Sequence, residues 1–203
     1  MAGFSQSDVH MPRTNVIAIG ASAGGVASLV DLLGALPSTI QAVVCVVLHL
    51  PENAPSALPA ILQRRTILRV AHARDGDPLE VGSVLVAPPG SHLLVKRTSV
   101  RVVRGPHENG HRPAVDPLFR TAARACGQRV IGVVLSGTLD DGTSGLRDIK
   151  ARGGTAIAQD PAEALFPGMP ESAIQNIQID FVGPVAGIAR ELVRITEQLE
   201  SDV

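Results

Sequence analysis

Three short stretches of this chain carry side chains that could do chemistry. The first is NVIAIGASAGG, Asn15 to Gly25, where a strand-like apolar run meets a glycine and a serine follows. Ser22 stands between Gly20 and Gly24, in the G-x-S-x-G spacing of an elbow that lifts a hydroxyl off the end of a strand. Small neighbours allow the sharp turn, and the N–H groups opening the next helix favour negative charge forming nearby. Two other readings compete for the same residues. One is a tight strand–helix turn with Ser22 as helix cap. The other is a phosphate cradle, but a dinucleotide fingerprint needs a glycine where Ser22 stands and an acid about 20 residues on. Here the second apolar run ends in His49, and the nearest acid, Glu52, lies beyond Pro51.

His49 closes the run AVVCVVLH (42–49) just before a proline turn. A serine nucleophile requires a base of this kind at the end of a neighbouring strand. A third run, RVIGVVLS (129–136), leads into GTLDDGTSG, which carries Asp140 and Asp141. Aspartate favours helix starts, so one of the two could be a cap. Chain order narrows the chemistry. The α/β-hydrolase triad runs serine, acid, histidine, but no histidine follows His111. A triad using Asp141 must therefore run Ser22, His49, Asp141.

Those residues need a scaffold of strands and helices. Strands are expected at 15–20, 42–49, 67–71, 83–88, 129–136, 155–159 and 179–182. Several are rich in Val and Ile without polar alternation, as strands covered on both faces should be. Amphipathic helices are expected over 25–35, with Val26, Leu29, Val30 and Leu33 inward, and over 116–126 and 143–152. A last helix over 184–200 buries Ile188, Leu192, Ile195 and Leu199. The segment 92–103 alternates around a polar turn and predicts a β-hairpin. The expected architecture is α/β: a single doubly wound, mostly parallel sheet with helices on both faces and an inserted hairpin, its site at the carboxyl ends of the strands. Residues 1–14 are expected to be a loose segment, and 15–203 one catalytic domain.

Composition excludes several classes of partner. The chain has 203 residues, 45% hydrophobic and 18% charged, with a formal net charge of −1. No long basic run is present and the four aromatics are all Phe, so neither phosphate backbones nor stacked bases are expected partners. No apolar run approaches the roughly 20 residues of a membrane span, so no membrane insertion is expected. The N-terminus lacks the layout of a secretory signal, which predicts a cytoplasmic protein. Cys45 and Cys126 read as inert core thiols.

Seven segments then carry a resemblance: IAIGASAGG, LHLPENAPSALPAIL, VLVAPPGSHLLV, HRPAVDPLF, VVLSGTLDDGTSGL, GGTAIAQD and FPGMPESAI. In order and spacing the chain resembles the catalytic domain of chemotaxis protein-glutamate methylesterases, over roughly residues 15–195. The resemblance implies hydrolysis of γ-glutamyl methyl esters on methylated cytoplasmic helices of a chemoreceptor, with release of methanol, and deamidation of receptor glutamines as a second activity. It places the family's serine on Ser22, its histidine on His49 and its aspartate on Asp141. It also implies an oxyanion and substrate-binding role for the backbone at Ala23 and Thr138; many members have methionine at the latter position. Neither metal nor cofactor is implied. LHLP stands where QHMP is commoner, at the rim of the site. Typical members carry a receiver domain of roughly 120 residues before the esterase, whereas about 14 residues precede the first strand here. The expectation is a stand-alone form that a separate regulator restrains, that is constitutively active, or that serves another signalling system.

Other candidates are set aside. His107-Glu-Asn-Gly-His111 matches the zinc-protease pattern H-E-x-x-H, but Pro106, Asn109-Gly110 and Pro113 oppose the helix that pattern needs. The segment reads as a polar loop, which the resemblance adds to the wall of the active site. His72 and His92 read as surface or loop-packing residues, with His92 near the cleft rim. Asp75, Gly76 and Asp77 read as a turn. An idle docking module of the same fold is the alternative function; retention of all three triad residues favours the enzyme.

Overall fold

The computed structural model describes residues 14–53 and 55–201. Residues 1–13, most of the segment expected to be loose, lie outside the described residues. Seven strands form one sheet: β1 Asn15–Ala21, β2 Ala42–Leu48, β3 Arg69–His72, β4 Ser83–Val86, β7 Val130–Val134, β8 Thr155–Gln159 and β9 Phe181–Gly183. Their order is β3-β4-β2-β1-β7-β8-β9, and every neighbouring pair is parallel. The expected hairpin is present as β5 His92–Val95 and β6 Val100–Val103, an antiparallel sheet of its own.

Burial on both faces explains the apolar strands. Along β1, Ile17, Ile19 and Ala21 enter one core and Val16 and Ala18 the other. The first core is closed by α1 Gly25–Ala35, α2 Leu58–Gln63 and α6 Val185–Ser201. The second is closed by α3 Val115–Cys126, α4 Thr143–Ala151, α5 Gly168–Asn176 and the hairpin. The chain leaves β1 for β2 on one side and later returns to pair β7 on the other. The crevice beyond the end of β1, where strand order reverses, is where such sheets place their sites.

Several expectations shift. Val26 faces outward at 39% exposure, because the buried stripe of α1 runs through Ser28, Leu29, Leu32 and Leu33. His92 is buried rather than at a rim: its Nε2 meets the Pro106 carbonyl at 2.8 Å and its Nδ1 accepts from the Ala114 N–H at 3.2 Å. Helices α2 and α5 lack strong periodicity and begin near prolines, so pattern reading passes over them. In α6, Ile188, Leu192 and Ile195 are buried as expected, and Leu199 packs against the same core. Among the described residues no helix is long and apolar enough to cross a membrane.

Candidate active site

Ser22 follows the last residue of β1 and is held from behind. Its N–H donates to the Ser136 carbonyl at 2.9 Å, and its own carbonyl accepts from Gly25 at 2.9 Å. The turn is completed by Gly24 at φ 74°, a left-handed conformation that disfavours other residues. A Cβ on Gly24 would also lie 2.6 Å from the Ser136 hydroxyl. That hydroxyl donates to the Ala23 carbonyl at 2.8 Å and accepts from the Phe166 N–H at 3.0 Å. The Ser136 N–H is taken by the buried Gln159 side chain at 2.9 Å. The elbow is thereby bolted to the tips of β7 and β8.

His49 continues the parallel ladder just beyond β2, its N–H donating to the Ala21 carbonyl at 3.1 Å. The one-to-one register of Ala21 with Leu48 therefore sets the imidazole beside Ser22. His49 Nδ1 lies 3.1 Å from Ser22 Oγ and Nε2 lies 2.7 Å from Asp141 Oδ2. An ionised carboxylate only accepts, so Nε2 must carry the proton and Nδ1 is the acceptor facing the hydroxyl. The ring thus presents its nitrogens in the reverse sense of the familiar serine-protease relay. The side chains of His49 and Asp141 are only 6% and 2% exposed.

Asp141 is surrounded by donors. Besides His49, the N–H of Val115 reaches Oδ2 at 2.7 Å, while Asp116 N–H and Asn109 Nδ2 reach Oδ1 at 3.1 and 2.8 Å. Burial would push its pKa up, but the His49, Val115, Asn109 and Asp116 hydrogen bonds outweigh it and hold the carboxyl below its usual range. Two of these donors are the unpaired N–H groups opening α3, so Asp141 caps that helix from another loop.

Asp116 returns the favour to α4. Its Oδ1 accepts from Gly142 at 3.1 Å and Gly145 at 2.6 Å, and its Oδ2 accepts from Asn109 at 2.8 Å. Burial pushes the Asp116 carboxyl up. Two helices therefore cap each other through their aspartates, with the Asn109 amide spanning both carboxylates. Gly20 makes room for this arrangement: a Cβ there would stand 2.3 Å from Val115 Cγ1.

Sequence reasoning named Ser22, His49 and Asp141, and the fold brings them into one hydrogen-bonded relay. Ala23 follows Ser22 in the turn. Thr138 follows Gly137, whose added Cβ would lie 2.9 Å from the Ser22 Cβ, so the Gly137 backbone borders the serine. Among the described residues, no acceptor takes the N–H of either. Asp140 is exposed and outside the relay. Sequence reasoning missed Asn109, His111 and Asp116. The H-E-x-x-H match forms no helix: Glu108 and His111 pair across a two-residue Asn109-Gly110 turn, both with positive φ. The His111 ring stacks on His49, centroids 3.6 Å apart and planes 13° from parallel. The Asn-Gly pair was a readable turn signal, but nothing local says what the turn would touch.

A separate concavity of about 590 Å³ lies at the opposite end of the strands, lined by Arg97, Arg124, Arg129 and Arg152. Arg124 and Arg152 stand at the C-terminal ends of α3 and α4, where cations offset the helix dipoles.

A family model described as CheB methylesterase matches residues 17–192. A protein-glutamate methylesterase/protein-glutamine glutaminase 2 of Methanosarcina mazei is 40% identical over 189 residues, covering 89% of this chain and 52% of that protein. A relative of the same name from Anaeromyxobacter dehalogenans is 41% identical, covering 91% of this chain and 54% of its own. The chain thus spans about half the length of these curated relatives. The crystal structure of the Thermotoga maritima CheB methylesterase catalytic domain matches with a TM-score of 0.86 at 33% identity, covering 89% of this chain and 98% of that one. On sequence and on fold alike, this chain belongs to the CheB methylesterase family.

Proposed function

We propose that the chain is a serine esterase that hydrolyses glutamate methyl esters on the cytoplasmic helices of a methyl-accepting chemoreceptor. The observation that carries this reading is the relay from Ser22 Oγ through His49 to Asp141, at 3.1 and 2.7 Å. Family membership supports the ester as substrate class. In this reading His49 Nδ1 takes the Ser22 proton as Oγ bonds the ester carbon, and the resulting oxyanion faces the free N–H groups of Ala23 and Thr138. The imidazolium keeps Nε2–H on Asp141, whose negative charge stabilises it. Collapse breaks the bond to methoxide, which leaves as methanol with the proton from Nδ1. Water, deprotonated by the same nitrogen, then attacks the acyl-serine and frees a glutamate side chain and Ser22.

The relatives' names pair methylesterase with glutaminase. We extend the second activity to this chain on the same chemistry: attack on a glutamine side chain passes through the same oxyanion and releases ammonia instead of methanol. A partner that regulates access is part of the reading, since hydrolysis of a signalling mark needs control. The test is methanol release from a methyl-labelled receptor fragment, comparing wild type with Ser22→Ala and His49→Ala. Either substitution is expected to cost on the order of 10⁴–10⁶ in rate. Equal release by wild type and His49→Ala defeats the assignment.

A further inference from the structure

We propose that His111 is a positioning residue for His49: its ring, stacked at 3.6 Å and 13° from parallel, fixes the imidazole in the plane that joins Ser22 to Asp141. This inference rests on the relay being catalytic, as argued above. The two hydrogen bonds of His49 are both made in its ring plane, so they define two edges and leave the faces free to tilt. A flat partner on one face removes that freedom, and two near-parallel rings at this spacing are in van der Waals contact.

The partner is itself held firmly. Glu108 and His111 exchange both backbone hydrogen bonds, at 3.1 and 2.9 Å, across the Asn109-Gly110 turn. Glu108 receives Arg120 of α3 on both carboxylate oxygens at 2.9 Å. Arg112, next in the chain, donates to Glu52 at 2.8 Å and to the Gly105 carbonyl at 2.7 Å, and Glu52 also meets His107. The turn that carries His111 also carries Asn109, whose amide holds Asp141 and Asp116. One loop thus grips the acid of the relay by a hydrogen bond and its base by stacking.

Charge sets the working range of the device. The groups facing His111 are His49 beyond β2, Asp141 before α4 and His107 on its own loop. Burial, followed by the repulsion of His49, holds the His111 imidazole below its usual range, against the attraction of Asp141. Near neutral pH the partner ring is therefore uncharged when His49 becomes an imidazolium, and cation–π attraction favours that state. In acid, His111 gains a proton, and two stacked cations would oppose the transfer.

The experiment measures fluorophosphonate labelling rate and ester-hydrolysis kinetics across pH for wild type, His111→Ala and His111→Phe, with thermal melts of each. The expected result is a labelling rate and kcat about 10- to 100-fold lower in His111→Ala with KM little changed, and recovery of most of that loss in His111→Phe, which keeps a flat ring. Wild-type activity should also fall more steeply in acid than that of His111→Phe, which has nothing to charge. Wild-type rates in His111→Ala, while wild type labels at Ser22, overturn the positioning role and leave the esterase reading standing. Equal loss in both variants, with unchanged melts, overturns stacking as the cause. Superimposable acid limbs overturn the charge argument. Failure of folded wild type to label overturns the esterase reading and this inference together.

Discussion

Replacing Asp141 with asparagine changes one atom and tests the relay and the scaffold at once. The carboxylate takes four donors: His49 Nε2 and Val115 N–H on Oδ2, Asn109 Nδ2 and Asp116 N–H on Oδ1. An amide offers one oxygen, so its NH₂ must face one of these pairs. If it faces the Oδ2 pair, His49 can change tautomer and accept from it, which turns Nδ1–H toward Ser22 and removes the base. The Val115 N–H has no such recourse. If the NH₂ faces the other pair, Asn109 can flip its amide only by giving up its bond to Asp116 Oδ2, and the Asp116 N–H cannot turn at all. Either way at least one buried backbone donor loses its acceptor, at about 1–3 kcal/mol. At roughly 2–4 °C per kcal/mol for a chain of this size, the melting temperature should fall by about 2–12 °C. Labelling by a fluorophosphonate should fall about 10⁴-fold if the amide disturbs the tautomer as it does in other serine relays. A variant that melts within a degree of wild type and labels within tenfold of its rate would refute the geometry assigned to Asp141.

The same carboxylate predicts an acid limit. Because its folded-state pKa lies below the usual carboxylate range, its contribution is fully present above about pH 4 and is lost as pH falls through the depressed value. The stability gap between wild type and Asp141→Asn should therefore narrow in strong acid, as chemical denaturation at stepped pH can show. Gly20→Ala places a methyl against Val115 and should cost about 1–3 kcal/mol of stability; a urea midpoint equal to wild type would mean that α3 yields without strain. Asp116→Ala leaves Gly142 and Gly145 without their acceptor, takes one of two from Asn109, and should destabilise by at least about 1–3 kcal/mol, read by thermal melting. Both thiols should resist alkylation near neutral pH while the chain is folded. Burial raises Cys45 to about 12 and Cys126 to about 11, so mass-shift assays should detect modification only on unfolding.

What the sequence determined by itself was everything that depends on neighbours along the chain. Val and Ile runs specify strands because both faces of each strand are covered, and Ser22 between small residues specifies a turn that few other arrangements can fill. Ser22 and His49 were legible because each sits at or just beyond the end of such a run, while Asp141 was singled out from Asp140 by the family resemblance. Tertiary structure alone decided how those ends meet. The reversal of strand order at β1 puts the tips of β2 and β7 on either side of Ser22, and no local pattern encodes that adjacency. It also decided which nitrogen of His49 faces the hydroxyl, that Asp141 and Asp116 cap each other's helices, and that a polar turn resembling a zinc motif comes to rest on the His49 ring. These are contacts between segments dozens of residues apart. They arise when packing the two cores brings helix ends and loop tips into one crevice, where buried donors and charges must find partners or cost stability.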